Sequence, residues 1–185
     1  GSIKDTSGRS EASRSAAFGS DAITQDLRNA GVGAFDGQPV LVRGAQNAIS
    51  FNADMVTSRV NDPIAVFSDP SADSASVAAL RSNSPVTLPN SGQSYPAVSY
   101  ASNAETISYY VTTDTASSPI AGTQLGVLHR RVNALPAQVV SRNIVLYSGD
   151  PIFRYYKRSA TGVLSEIPGG TLPIYHAAPR HGSPA

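Results

Sequence analysis

The chain has 185 residues, enough for one domain with a sizeable core and short for two. Hydrophobic residues make up 41% and charged residues 15%, the formal net charge is +1, and there is no cysteine. These totals exclude a disulfide framework, a thiolate metal site and a cysteine nucleophile, and they give no whole-molecule field that would favour nucleic acid or membrane.

No run reaches the ~18 apolar residues of a membrane span. Gly1-Ser2 reads as the remnant of a cleaved tag, and residues 1–9 as a frayed lead-in. The first regular element is predicted over residues 10–30. Phe18, Ala22 and Gln25 follow one line of a helix, and Ile23, Leu27 and Ala30 follow the adjacent one. Ala12, Ala16 and Ala17 extend this stripe with small side chains. Gly31 stands where a helix ends in the left-handed conformation that glycine adopts without steric cost. Phe18, Ala22, Ile23, Leu27 and Ala30 are therefore the candidate packing and assembly residues of the helix.

After the turn at Phe35-Asp36-Gly37, strands are expected at residues 39–42 and 48–52. Residues 61–96 carry Pro63, Pro70, Pro85, Pro89 and Pro96 and read as an irregular insertion with one helical turn near 76–81. The strongest strand is 105–112, with β-branched and aromatic residues on both faces, and it is expected to form an antiparallel hairpin with 126–132. Further strands are expected at 139–146, 151–157 and 163–167, and an irregular tail at 168–185 without a closing strand. The expected fold is a single α+β domain over 10–185: one long N-terminal helix packed on an antiparallel sheet of consecutive hairpins, the sheet falling at about 105–167.

Few residues suggest chemistry. His129 falls in a strand, while His176 and His181 lie in the tail without metal-ligand spacing. There is no G-x-S-x-G elbow and no phosphate-binding glycine loop, and Gly31-Val32-Gly33 follows a helix instead of a strand. Asn52, Asp54, Asn61, Asp62, Asp69 and Asp73 offer oxygen atoms for a structural calcium ion, but turn formation accounts for the same residues. No catalytic residue, cofactor-binding residue or metal ligand is assigned, and the chain is read as a non-enzyme. One charge concentration is basic: Arg130, Arg131, Arg142, Arg154, Lys157 and Arg158, interleaved with Tyr155 and Tyr156. Such a set can track a phosphate backbone, although strand alternation brings only about half of it onto one surface.

Taken in order, Asp26-Leu27-Arg28-Asn29-Ala30-Gly31, Ile107-Ser108-Tyr109-Tyr110-Val111, Leu128-His129-Arg130-Arg131-Val132-Asn133, residues 139–143 and Phe153-Arg154-Tyr155-Tyr156 resemble the minor pilins and pseudopilins of type IV pili and type II secretion systems. The likeness runs from about Ser13 to Glu166 and is nearest to the PilW-like and J-type subunits. It implies a non-catalytic subunit that initiates, caps or decorates a filament with other pilin or pseudopilin subunits. Such a subunit sits in the inner membrane facing the periplasm before assembly, and in a surface or periplasmic filament afterwards. It also implies a longer N-terminal helix that spans the membrane; the family's prepilin cleavage site and its glutamate map onto no position of this sequence. A second departure is the end of the chain, where family members usually add another strand. Two alternatives stand beside this reading. One is a filament-associated subunit that contacts DNA or a surface through Arg130, Arg154, Tyr155, Tyr156, Lys157 and Arg158. The other is a free secreted β-rich binding module using Tyr95, Tyr100 and Tyr175.

Overall fold

The computed structural model describes residues 17–34, 38–55, 86–91, 104–116 and 123–175. Within these, a helix α1 (17–28) precedes β1 (Leu41–Ala45), β2 (Ala48–Ala53), β3 (Glu105–Thr113), β4 (Gln124–Val132) and β5 (Gln138–Leu146). Then come β6 (Tyr156–Arg158), β7 (Leu164–Glu166), a short 3-10 turn (Gly169–Thr171) and β8 (Ile174–Tyr175). Every strand pairing is antiparallel. Six strands form one sheet in the order β5-β4-β3-β2-β1-β8, and β6 and β7 form a separate ribbon.

The expectation of an α+β fold built on one long N-terminal helix is overturned. Among the described residues the architecture is mostly antiparallel sheet with one short helix. That helix gives way to turns over 29–33, where Gly31 has φ +88° and its N–H donates to the Asn52 carbonyl at 2.7 Å, so the chain leaves the helix and is tied to β2. Residues 151–155 also differ from expectation, for they form no strand; the Ile152 and Phe153 amides both donate to the Gln46 carbonyl. The tail adds a strand that its composition did not announce, since Ile174 and Tyr175 pair with Gly44 and Arg43 on β1.

Period-two alternation gives the main sheet two unlike faces. On one, Ile49 and Phe51 of β2 stand opposite Tyr109 and Ile107 of β3, and Val111 stands opposite Leu128 of β4. These residues, with Ala53 and Tyr155, make the buried core, and Ile23 and Ala30 pack against it. The other face is polar though buried. Ser50 and Ser108 share a hydrogen bond of 2.8 Å, and the Thr106 hydroxyl donates to Asn52 Oδ1 at 2.9 Å. Arg43, Ser50, Ser108 and Arg131 form one row across β1 to β4. Arg43 Nη1 donates to the Pro89 carbonyl at 3.1 Å and Arg131 Nη2 donates to the Thr87 carbonyl. The segment 86–91 therefore crosses the polar face between two guanidinium groups, with Val86 and Leu88 buried. The remainder of the predicted 61–96 insertion lies outside the described residues.

Candidate functional site

Charged and apolar groups from distant parts of the chain converge at the junction between α1 and the sheet. About 3.6 residues per turn set which side chains point inward. Gly19, Ile23, Asp26 and Ala30 fall on one line. A Cβ on Gly19 would stand 3.0 Å from Leu128 Cδ2 and 3.3 Å from Ser141 Cβ, so the helix lies close against β4 and β5 there. Further along the same line Asp26 is buried. Its Oδ2 accepts the Tyr109 hydroxyl at 2.7 Å and Arg130 Nε at 2.6 Å.

This cluster is a fixed, charge-compensated anchor. Burial raises the Tyr109 phenol above its ordinary range, and the hydrogen bond to Asp26 and that carboxylate's charge raise it further, so the phenol stays a neutral donor. Burial pulls the Arg130 guanidinium down, but the hydrogen bond and the charge of Asp26 outweigh it and the net shift is upward. Tyr109 is 0% exposed, while the Arg130 side chain is 23% exposed at the edge of the cluster. Beside the anchor, Gly19, Ser20, Ile23 and Thr24 face Ile144 and Phe153 across a groove of about 300 Å³.

The candidate helix residues divide between inside and outside. Ile23 and Ala30 touch the core, Ala22 is half-buried, and Phe18 and Leu27 are 64% and 38% exposed. With about 100° of rotation per residue, Phe18 and Leu27 fall to either side of the inward line, about 110° and about 70° away. Sequence reasoning missed Gly19 and Asp26. The available signal was position alone, since both share a helix line with Ile23 and Ala30.

The basic set is dispersed. Arg130 is held by Asp26, and Arg154 by Asp150 at 3.4 Å and Glu166 at 3.1 Å. Tyr155 is buried, its hydroxyl donating to the Ala45 and Ala48 carbonyls. Tyr156, Lys157 and Arg158 remain exposed on β6. His129 shares a hydrogen bond of 2.9 Å with the Thr112 hydroxyl and stacks on Tyr110, and burial followed by the charge of Arg142 lowers its pKa. Of the oxygen donors considered for calcium, Asn52 is committed to Pro39 and Thr106. Among the described residues no group of three or more His, Cys, Asp or Glu is placed to hold a metal ion, and no helix is long and apolar enough to cross a membrane. Tyr175 is partly exposed and its hydroxyl accepts from Arg43 Nε at 3.2 Å. Asn61, Asp62, Asp69, Asp73, Tyr95, Tyr100, His176 and His181 lie outside the described residues.

Comparison with protein-family models, with curated proteins and with solved structures found no match.

Proposed function

We propose that the chain is a non-catalytic subunit of a filament of the type IV pilus or type II secretion kind, engaged by neighbouring subunits through the segment around α1. One observation carries this reading. The sequence pieces that resemble the minor pilins and pseudopilins are far apart in the chain, and three of them meet at a single carboxylate: Asp26 of the first binds Tyr109 of the second and Arg130 of the third. A fourth, beginning at Phe153, lines the groove beside α1. A helix locked on one side to a sheet, with Phe18 turned to solvent, suits a part whose task is to be held by the body and touched by a neighbour.

These 185 residues contain no cysteine, so Phe18→Cys supplies a single thiol within them. In the native cells the chain should appear in sheared filament fractions, and its deletion should lower filament number or secretion. The Phe18→Cys chain should cross-link to another subunit within those filaments. Recovery only as free chain in the medium, with filaments and secretion unaffected by deletion, would overturn the reading in favour of a secreted binding module.

A further inference from the structure

The β6–β7 hairpin has no part in the anchor at α1, and its construction is unlike the rest of the molecule. An isolated two-stranded hairpin is marginal in water. Here the base is tied down from several directions. Tyr155, immediately before β6, is buried with its hydroxyl bonded to β1 and β2, and the Ile167 amide, just after β7, donates to the Tyr155 carbonyl at 2.8 Å. Arg154 bridges Asp150 and Glu166 across the same base. At the tip the Gly162 amide donates to the Ser159 carbonyl and the Val163 amide to Ser159 Oγ.

What this fixed hairpin displays is apolar and cationic together. Tyr156, Val163 and Leu164 are 55%, 63% and 59% exposed. Lys157 and Arg158 are exposed and form no ion pair with any described residue. Register and alternation set the arrangement. Arg158 stands opposite Leu164 and Lys157 opposite Ser165, with Val163 one residue before Leu164 and so turned the other way. One face of the ribbon thus carries Leu164, Arg158 and Tyr156 with the Arg154-paired Glu166, and the other carries Val163 and Lys157, so an aliphatic side chain and a cation stand on both.

The presence of apolar and cationic groups on both faces selects the partner. A protein surface covers one face of a hairpin, and an interface built for it gathers its apolar groups on that face. A phosphate backbone makes no use of exposed valine and leucine. A bilayer surrounds an inserted tip on every side, rewards aliphatic groups on both faces, seats tyrosine at the headgroup level and attracts cations when its lipids are anionic. We propose that the β6–β7 hairpin is a membrane-contacting tip that enters the headgroup region of an anionic bilayer. This goes beyond the filament reading and does not depend on it.

The test uses the 185-residue chain with vesicles of phosphatidylcholine containing phosphatidylglycerol, and with vesicles of phosphatidylcholine alone. Co-sedimentation should be strong with the anionic vesicles and weak with the neutral ones. Lys157→Glu with Arg158→Glu should lower it at least about twenty-fold, since each lost cation is worth about five-fold near an anionic surface. Val163→Ser with Leu164→Ser should lower it about ten-fold or more. Arg28→Glu, an exposed charge change on α1, should leave it nearly unaltered. The chain has no tryptophan, so Leu164→Trp reports the tip alone, and its emission should move to the blue on anionic vesicles. All of these positions are exposed, and circular dichroism will show each variant folded. No association with anionic vesicles overturns the proposal, as does association that both hairpin variants leave intact. Association without a blue shift also overturns it, since the chain would then adsorb by charge alone without the tip entering the headgroup region.

Discussion

Asp26 serves two donors with one oxygen, and the consequences of removing each member of the cluster differ in kind. Asp26→Ala leaves the Arg130 guanidinium without its counter-charge and the buried Tyr109 hydroxyl without an acceptor. Arg130 is only part-buried and solvent softens its loss, so with the orphaned Tyr109 hydroxyl the change costs about 2–3 kcal/mol. Tyr109→Phe takes away the hydroxyl while Asp26 keeps Arg130, a loss of about 1 kcal/mol. Urea unfolding should rank Asp26→Ala well below Tyr109→Phe in stability; equal losses would mean that the carboxylate does not carry the anchor. The one sign of this in the sequence was position on the line of Ile23 and Ala30, and an aspartate on a helix otherwise reads as solvated. Phe18 and Leu27 read as packing residues from their size, which Leu27 shares with the inward Ile23, yet they flank the line occupied by Gly19 and Asp26.

Gly44 shows the same logic between elements. A Cβ at this position of β1 would stand 2.6 Å from Tyr155 Cε1, 2.8 Å from Tyr155 Cζ and 3.0 Å from Ile174 Cγ1. The missing side chain therefore lets the Tyr155 ring lie on β1 and lets β8 close the sheet beside it. Gly44→Ala should cost about 1–3 kcal/mol as the ring is displaced. Amide exchange at Ile167, whose N–H is bonded to the Tyr155 carbonyl, should quicken in the same variant. Gly170→Ala, with nothing within 4 Å, should change stability by less than about 0.5 kcal/mol. Unfolding and exchange unaltered by Gly44→Ala would show that the ring does not rely on the gap. Legibility follows from where an element's information resides. β3 and β4 lie close to where alternation and β-branching placed them, since each is long enough for its own residues to set the pattern. β8 has two residues, and what makes it a strand is the open edge of β1 far away in sequence. Of the helix predicted over 10–30, the described part covers 17–28 and gives way to a turn before Ala30, where the Gly31 amide is tied to β2.

Seen whole, the sheet separates an apolar face that buries phenols from a polar face that buries hydroxyls, amides and guanidinium groups. This division sets how the molecule responds to alkali. Burial raises the Tyr109 phenol well above its ordinary range, reinforced by Asp26 and opposed by Arg130. Burial raises Tyr155 in the same sense against the lowering effects of its hydrogen bond to Ala45 and the charge of Arg43. In the unfolded chain both groups release their protons near pH ~10. Above that pH the folded state holds more protons than the unfolded one, so stability is complete below about pH 10 and declines as pH rises toward the folded-state values. Each buried tyrosine contributes a slope of about 1.4 kcal/mol per pH unit in that range. Unfolding free energies measured across the alkaline range should therefore fall steeply in the parent chain. The fall should be shallower in Tyr109→Phe and in Tyr155→Phe, and shallowest in the double variant, whatever each substitution does to stability at neutral pH. Phenolate absorbance of the folded chain provides the independent check: two tyrosines that titrate only as the chain unfolds agree with a sealed apolar face, and their titration near pH ~10 in the folded state would refute it.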